Sequence, residues 1–262
     1  MKPIAELPPK DRRRIGFVLT DIDDTLTVNG RLPAVVFAAM ERLLEAGIHT
    51  IPVTGRPAGW CDHIARMWPV TGVVGENGAF YFCYDADRRR MIRRYRRSDR
   101  QRRLDRLKLN RLQEQILRQV SGAAVSADQS YREADLAIDC SEDVSPLPDS
   151  DVKRIVDLFE SAGATAKISS IHVNGWFGTY DKLSMTRQLF REKFDGELAD
   201  MRDRIIFIGD SANDAPLFGY FPNSVGVANV RLFVDKMEHL PTWITNAEGG
   251  FGFVELVDRL LR

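Results

Sequence analysis

The first third of the chain alternates between short apolar runs and segments with helical spacing. Residues 15–20 and 48–53 are apolar and β-branched, which predicts buried strands. Between them, residues 32–46 carry apolar side chains at the spacing of one helix face. A second helix over 59–67 and a short strand over 72–74 follow. The order β-α-β-α-β predicts a parallel sheet covered by helices.

The pattern changes in the middle of the chain. A tight-turn signal at Asn77-Gly78 precedes strand-like runs over 79–84 and 91–95, which predict a small hairpin. Four further elements are predicted after it: helix 99–120, strand 131–139, helix 148–162 and strand 166–173. The apolar side of the long helix is predicted to contain Leu104, Leu107, Leu112, Ile116, Leu117 and Val120. A β-α-β-β-α-β grouping of these elements predicts a separate small α+β layer.

After Asp181 the alternation of helices and apolar strands returns. Its predicted elements are helix 182–194, strand 204–208, a helix to 219, strand 225–228, a helix, strand 243–245 and a helix from 251. We therefore predict an α/β fold with one Rossmann-like parallel-sheet domain formed by 1–96 and 177–262. An α+β domain over 97–176 is predicted to interrupt it. The N-terminal segment MKPIAELPPKDRRR lacks the apolar stretch of a signal peptide and is predicted to be a short mobile arm.

Composition narrows the classes of function. Lys plus Arg and Asp plus Glu each number 37, so the net charge is zero and no overall field favours nucleic acid or a membrane. No apolar run approaches the roughly 20 residues that span a bilayer. Cys61, Cys83 and Cys140 are scattered and form no CxxC pair, which predicts packed, reduced thiols and a cytoplasmic location.

The segment 88–106, here called the Arg-rich segment, is a local exception to this balance. It holds eleven arginines against Asp99 and Asp105. Three interpretations are open: a solvated surface with intrahelical ion pairs, a polyanion-binding patch, and a subunit interface. We favour the first, because Tyr95 is the only aromatic residue interleaved with the arginines.

The strongest chemical signal is the hexamer Asp21-Ile-Asp-Asp-Thr-Leu, directly after a buried-looking strand. Three carboxylates within four residues repel one another and are costly to bury together. The carboxyl end of a parallel strand is where α/β sheets bind ligands. A hard cation such as Mg²⁺ would relieve the repulsion. A solvated acidic turn is the alternative explanation.

Three weaker signals follow later in the chain. Thr54-Gly55-Arg56 comes directly after a strand and offers a hydroxyl, an open backbone amide and a positive charge for phosphate oxygens. Lys182 begins a predicted helix. Asp210 and Asp214 follow the strand over 204–208 at a spacing that allows both to face one metal. Each alone has an ordinary structural explanation, but all four segments are delivered to the same region of the predicted sheet.

Together the four segments resemble motifs one to four of the haloacid dehalogenase-like superfamily. The pattern DxDDT…TGR…K…GDSxND, with an insertion between the second and third motifs, is similar to its IIB branch (Cof-type), whose members carry a C2-type cap. The resemblance covers essentially the whole chain. It implies a Rossmann-like core with an α+β cap over 97–176, and a Mg²⁺-dependent phosphatase rather than a dehalogenase, which generally lacks the second aspartate.

The resemblance also implies roles for individual residues. Asp21 would be the nucleophile and a Mg²⁺ ligand, and Asp23 the general acid and base, with its backbone carbonyl on the metal. Thr54 and Lys182 would hold the phosphoryl oxygens. The remaining implied residues are the metal ligand Asp210, with Asp214 and Asn213 supporting the metal and Lys182.

Residues for the substrate are predicted more loosely. Gly55 and Arg56 suit phosphate, and Glu76-Asn77 resembles a loop near the substrate entrance of the IIB branch. Arg132 is the best candidate on the cap, whose predicted face also includes Tyr131, Glu133, Ala134, Asp135, His172, Asn174 and Trp176. Trp176 either stacks on a sugar or packs in the hinge. His49, His63 and His239 show no metal-ligand spacing and are predicted to pack or to lie at the surface.

We therefore predict hydrolysis of a phosphate monoester, with a sugar or glycosyl phosphate as the substrate class, by a monomer or homodimer. One alternative is a sugar phosphomutase of the same superfamily. Another is a non-catalytic protein that binds a polyanion through the Arg-rich segment. Against the last, a binding protein has no need of Asp21, Asp23, Lys182 and Asp210 together.

Overall fold

The computed structural model describes residues 1–169 and 171–262. Its strands are β1 Lys2–Pro3, β2 Phe17–Thr20, β3 His49–Pro52, β4 Val73–Gly75, β5 Phe80–Asp85, β6 Arg90–Tyr95, β7 Ala124–Val125, β8 Leu136–Asp139, β9 Thr165–Ile168, β10 His172–Trp176, β11 Ile205–Gly209, β12 Asn223–Gly226 and β13 Trp243–Ile244. Its α-helices are α1 Pro9–Arg12, α2 Ala34–Glu45, α3 Ala58–Met67, α4 Asp99–Gln119, α5 Asp149–Ser161, α6 Lys182–Phe194, α7 Leu198–Met201, α8 Ala215–Tyr220 and α9 Gly249–Leu260.

A six-stranded parallel sheet forms the centre of the fold, in the order β1-β13-β12-β11-β2-β3. Strands β2 and β11 are buried throughout and lie side by side, with Thr20 opposite Ile208. Helices on both faces complete the burial that continuous apolar strands require. The predicted α/β class with a parallel sheet is confirmed. Because β2, β3 and β11 are parallel, their carboxyl ends lie at one edge.

The N-terminal segment is not a mobile arm, so that prediction is wrong. Strand β1 adds to the free edge of β13, with Lys2 opposite Trp243. Ile4 and Leu7 are buried in the main hydrophobic cluster. The apolar side chains that follow β1 therefore fix this segment to the core.

Strand β4 differs from its predicted place in the central sheet. It pairs antiparallel with β5, and β5 pairs with β6, so these three strands form a sheet of their own. One parallel bridge, Val53 to Val74, connects it to the end of β3. The predicted hairpin is confirmed, but it extends this core-side layer rather than the inserted layer.

The inserted layer is a four-stranded antiparallel sheet in the order β7-β8-β10-β9, covered by α4 and α5. It corrects two predicted strands. The segment 131–139 becomes strand only at Leu136, after a 3₁₀ turn, and the segment 166–173 is divided between β9 and β10. The order in this layer is therefore α-β-β-α-β-β rather than β-α-β-β-α-β.

Helix α4 begins and ends where predicted but turns a different face inward. Leu109, Leu112 and Ile116 are buried, whereas Leu104 and Leu107 are more than half exposed. Leu117, also predicted inside, is partly exposed at 39%. Leucines occur on two faces of this helix, and the prediction assigned residues of both faces to one buried side.

The cysteines and the histidine His49 agree with their predicted structural roles. Cys61, Cys83 and Cys140 are buried free thiols. His49 stacks on Phe17, with ring centroids 5.2 Å apart. Within the described residues no helix is long and apolar enough to cross a membrane.

Candidate active site

Four of the predicted residues meet at the carboxyl edge of the central sheet. Asp21 directly follows β2, and Asp210 directly follows β11, its neighbour in the sheet. Lys182 begins α6 and reaches them from the side. Its ammonium donates hydrogen bonds to Asp21 Oδ1 (3.2 Å) and to Asp214 Oδ1 (3.0 Å). The parallel register thus converts separated sequence motifs into one cluster.

Lys182 is held in place by its backbone. The helix begins with a capping box in which the Asp181 side chain accepts from the Ser184 amide while the Ser184 hydroxyl accepts from the Asp181 amide. Gly78 packs directly on this start: a Cβ there would overlap the Asp181 carbonyl and lie 2.8 Å from the Lys182 nitrogen. Gly78 also has φ +103°, a conformation that favours glycine.

Three buried carboxylates, Asp21, Asp210 and Asp214, form a candidate metal site. One oxygen of each lies within 4.8 Å of the other two. Thr25 donates a hydrogen bond to Asp210 Oδ1 (3.0 Å), and the Asp210 amide donates to Asp214 Oδ2 (3.2 Å). Gly209 permits this approach, because a Cβ there would meet the Asp214 carboxyl carbon at 2.8 Å. A cluster of oxygen donors suits a hard divalent cation.

The charges in this cluster are unbalanced. Burial, supported by the neighbouring Asp214 and Asp23 carboxylates and opposed by Lys182, raises the pKa of Asp21 to about 7. Burial and the Asp214 carboxylate raise the pKa of Asp210 well above its ordinary value. Burial opposes the charge of Lys182, but Asp21 and Asp214 outweigh it and raise the pKa of the ammonium. One ammonium faces three acids, so a cation at this site would favour their ionised forms.

Asp23 lies beside this cluster and is engaged by Arg56. The guanidinium Nε donates to both Asp23 oxygens (3.0 and 2.9 Å), and an Nη group donates to Oδ1 at 2.7 Å. Both carboxylate oxygens are therefore occupied by one side chain. The predicted role of Asp23 as general acid and base would require this ion pair to part.

Arg56 also faces the inserted layer, which the sequence did not suggest. Its Nη1 lies 3.7 Å from Asp128 Oδ2 and 3.7 Å from Glu142 Oε1. The side chain is only 8% exposed. Arg56 was predicted to bind substrate phosphate; it lines the cavity, but here three carboxylates surround its charge.

Arg132 of the inserted layer lines the same cavity as Arg56 and pairs with Asp128, which Arg56 also approaches. It donates to Asp128 through Nε (2.7 Å) and Nη2 (2.9 Å), and Nη1 is 3.1 Å from both Asp135 oxygens. The same Nη1 donates to the Gly55 carbonyl at 3.1 Å, which joins the two layers. Asn174 donates to Asp135 as well. Arg132 lines the cavity as predicted, with most of its donors held by the protein.

The structure corrects the prediction that Glu76 contacts substrate. Its side chain is fully buried. One oxygen accepts from the amides of Ala58 and Glu133, and the other from those of Ala134 and Asp135, at 2.6–3.1 Å. Burial and the Asp135 carboxylate raise the pKa of Glu76 to about 7. Glu76 therefore clamps the inserted layer to the core.

The predicted residues differ in how they face the open space. Those that line the enclosed cavity are Asp21, Asp23, Gly55, Arg56, Asn77, Arg132, Asp210 and Asn213. Lys182 lies behind this lining and contacts Asp21, and Asp214 contacts Lys182 in turn. Thr54 is fully buried, and its hydroxyl accepts from the Arg56 amide at 3.1 Å. Asn213 accepts from the Ser211 hydroxyl rather than contacting Lys182.

Several residues of the site were not identified from the sequence. They are Thr25, Asp128, Asp135 as a partner of Arg132, Glu142 and Ser211. His172 and Asn174, predicted on the cap face, do line the cavity, and His172 Nε2 lies 2.9 Å from Glu142 Oε2. Trp176 does not line it: the ring is 2% exposed and stacks on Tyr180. Of the two alternatives predicted for Trp176, stacking on a sugar and packing, the structure shows packing.

Comparison with known proteins agrees with the motif resemblance. Residues 18–128 match the family model of haloacid dehalogenase-like hydrolases. Among solved structures, protein 0175 of Thermoplasma acidophilum is 19% identical with a TM-score of 0.72, covering 94% of this chain and 98% of that one. No match is found among curated proteins.

Two further similar structures belong to proteins described as a phosphatase or as related to one. The sucrose-phosphatase of Synechocystis sp. PCC6803, solved with sucrose and phosphate, is 12% identical with a TM-score of 0.64, covering 93% of this chain and 97% of that one. A trehalose-6-phosphate phosphatase related protein is 15% identical with a TM-score of 0.60, covering 94% and 95%. At these identities the likeness establishes the fold.

Proposed function

We propose that this chain is a haloacid dehalogenase-like hydrolase and acts as a Mg²⁺-dependent phosphatase of phosphate monoesters, a proposal that its motifs, the matching family model and its fold support. One observation carries the proposal: Lys182 bridges Asp21 and Asp214 within hydrogen-bond distance, beside Asp210 and next to Asp23. A nucleophile, a fixed positive charge, a metal-binding set and a proton carrier are the parts that phosphoryl transfer needs.

The proposed reaction has two displacements. An Asp21 oxygen attacks phosphorus, the bond from phosphorus to the ester oxygen breaks, and Asp23 gives its proton to the departing oxygen. Water then attacks the phosphorus of the aspartyl phosphate, Asp23 takes a proton from that water, and Asp21 is regenerated with release of inorganic phosphate. Splitting the hydrolysis in this way replaces one difficult step by two easier ones.

The residues present fit Mg²⁺. Asp21 and Asp210 would hold it directly, with the Asp23 backbone carbonyl, and Asp214 would support them. When bound, the cation would neutralise charge on the phosphoryl oxygens. The chain's own contribution is to hold Lys182 against Asp21, so that a positive charge already faces the oxygens on which negative charge grows.

We further propose that residues 97–176 act as a cap that opens and closes. The cavity at Asp21 measures about 40 Å³, and Arg132, His172 and Asn174 of the inserted layer form part of its wall. That is room for about three waters at 10–15 Å³ each, so a whole substrate needs the cap to move. Glu76 and Arg132 make the contacts that closure would form.

The sequence resemblance predicts a sugar or glycosyl phosphate as substrate. Two structural relatives are described as a sucrose-phosphatase and as related to trehalose-6-phosphate phosphatase, which supports a phosphorylated organic substrate in this fold. A cytoplasmic location agrees with three buried free thiols. From the sequence we propose that the chain acts as a monomer or a homodimer.

The alternative of polyanion binding has less support. In the Arg-rich segment, Arg93, Arg94 and Arg102 pair with acidic residues outside the segment, and Arg97 pairs with Asp105 within it. Arg106 donates to two backbone carbonyls. Much of the positive charge is therefore engaged inside the molecule. A phosphomutase shares the nucleophile and differs in returning the phosphoryl group to sugar.

The experiment that tests the proposed function measures inorganic phosphate released from a panel of phosphate esters. With Mg²⁺ we expect steady release, and with excess EDTA we expect none above the uncatalysed rate, because the acids around Asp21 then lack their counter-charge. Restoring Mg²⁺ should restore release. Rearrangement of a sugar phosphate without accumulation of phosphate would favour the mutase instead.

Mg²⁺ is also expected to stabilise the protein more strongly at pH 8 than at pH 5. Because the folded pKa of Asp21 is raised to about 7, the folded chain keeps a proton that the unfolded chain has released, and stability falls as pH rises from about 4 to 7. A cation that binds the ionised site recovers this loss. We expect a rise in Tm of about 5–10 °C at pH 8. An equal shift at both pH values, or the same shift with matched NaCl, would contradict this.

A further inference from the structure

A second cavity borders the catalytic one and shares two residues with it, Asp23 and Arg56. We call it the aromatic slot. It measures about 430 Å³, roughly ten times the catalytic cavity. Its wall includes Leu32, Trp60, His63, Ile64, Trp68 and Tyr131. The mechanism described above uses none of these side chains.

The slot is formed jointly by the core and the cap. Trp60 and His63 lie on α3 of the core, and Tyr131 lies in the 3₁₀ turn before the cap strand β8. Gly59 lets the two parts meet, because a Cβ there would lie 3.0 Å from Tyr131 Cβ. Trp60 is 43% exposed and Tyr131 is 57% exposed. Two large aromatic rings thus face open space where the cap touches the core.

The position of Asp23 connects the slot to the chemistry. In the proposed reaction Asp23 gives its proton to the ester oxygen, so the leaving group must lie against this carboxyl. The catalytic cavity measures only about 40 Å³, room for about three waters. The aromatic slot is the larger space that Asp23 also borders. Parting of the Asp23–Arg56 ion pair would join the two.

The lining indicates the chemistry of the occupant. Aromatic rings stack favourably on flat, apolar groups. Few polar side chains face the slot besides His63: the Thr27 hydroxyl already accepts from the Asp24 amide at 2.9 Å, and Arg56 pairs with Asp23 while its guanidinium lies over the Trp60 ring, 4.5 Å from the centroid. A leaving group with many hydroxyls would exchange its hydrogen bonds to water for few partners here, chiefly the His63 imidazole. An aromatic leaving group would not.

We propose that the aromatic slot binds the leaving group of the phosphate ester and that this group carries a flat aromatic ring. The inference rests on the proposed phosphatase function and replaces the sugar of the sequence prediction by an aryl substrate class. The ring would lie between Trp60 and Tyr131 while its ester oxygen faces Asp23. It would depart as the protonated alcohol or phenol.

A third cavity is the rival position for the leaving group. It measures about 510 Å³ and includes Leu232 and Phe251, which are strongly exposed. This cavity borders Asp210 and not Asp23. A leaving group there would be on the metal-binding side of the site, away from the proton carrier. Phe251 therefore provides a matched aromatic control.

The test compares Trp60→Ala with Phe251→Ala on three substrates: 2-naphthyl phosphate, glucose 6-phosphate and acetyl phosphate. For 2-naphthyl phosphate we expect Trp60→Ala to lower kcat/KM about tenfold or more, mainly through KM, because a stacking surface is lost. For the other two we expect changes below about twofold, since neither places a flat ring in the slot. Comparing each variant with wild type on the same substrate cancels differences in intrinsic reactivity.

Each other outcome would contradict either the slot assignment, the aromatic nature of the leaving group, or the proposed phosphatase function. If wild type releases phosphate but Trp60→Ala and Tyr131→Ala leave the naphthyl ester unchanged, the slot assignment fails while the phosphatase function stands. If Trp60→Ala impairs glucose 6-phosphate equally, the occupant is a sugar. If Phe251→Ala alone impairs the naphthyl ester, the third cavity holds the leaving group. If wild type releases phosphate from no ester, both proposals fail.

Discussion

Replacing Asp21 with asparagine is expected to lower phosphate release by about 10⁴-fold or more. An amide cannot form the acyl phosphate, and Lys182 loses the carboxylate that accepts its hydrogen bond at 3.2 Å. The rate is measured as inorganic phosphate released with Mg²⁺ under saturating substrate. Asp200→Asn, the same change at an exposed position, should retain the wild-type rate.

Unfolding is not expected to explain this loss. Burial raises the pKa of Asp21, so its ionised form is costly in the metal-free folded chain. Asparagine removes that charge, and the Tm of the metal-free variant at pH 8 should equal or exceed that of wild type. Phosphate release within about tenfold of wild type would show that Asp21 is not the nucleophile.

Replacing Gly78 with alanine is expected to lower kcat by about 10²-fold, although this residue touches no substrate. Its added methyl group would overlap the Asp181 carbonyl and lie too close to the backbone nitrogen of Lys182. The clashing atoms belong to the backbone and cannot rotate away as the end of a side chain can, so the start of α6 must move. Lys182 would then lose its position between Asp21 and Asp214.

Gly163→Ala is the matched control for this effect. Gly163 also has positive φ, +77°, but a Cβ there would have no atom within 4 Å. It should show the cost of a left-handed alanine, about 1–2 kcal/mol of stability, with kcat unchanged. If Gly78→Ala lowers Tm but leaves kcat at the wild-type value, the positioning role of Gly78 is contradicted.

The sequence predicted the part of the site that comes from strand ends. Asp21 and Asp210 follow apolar runs directly, and parallel strands bring their carboxyl ends together whatever their separation along the chain. The helix start at Lys182 was also predicted at the right residue, because the local sequence pattern defines where a helix begins. Roles for these residues came from the motif resemblance.

The contacts between core and cap could not be predicted. Glu76 accepts from amides at 133–135, and nothing near either segment in sequence indicates the other. Its carboxylate therefore resembled a ligand-binding group. Arg56 likewise has partners that the sequence did not indicate, because Asp128 and Glu142 approach it only when the cap lies against the core.

Edge pairing and mixed helix faces account for the other errors. Strand β1 has two residues and finds its partner β13 at the opposite end of the chain. No local periodicity exists in so short a strand. In α4, leucines at Leu104 and Leu107 continue the helical spacing, yet only one of the two apolar faces meets the four-stranded sheet.

The central claim is that Asp21 carries the phosphoryl group. The most direct measurement is acid quenching of wild-type protein during turnover, followed by peptide mapping by mass spectrometry. The account predicts one added phosphoryl group on the peptide containing Asp21, labile to hydroxylamine as an acyl phosphate is, and absent in Asp21→Asn. A phosphoryl group on another residue, or phosphate release with none on Asp21 under conditions that trap acyl phosphates, would contradict it.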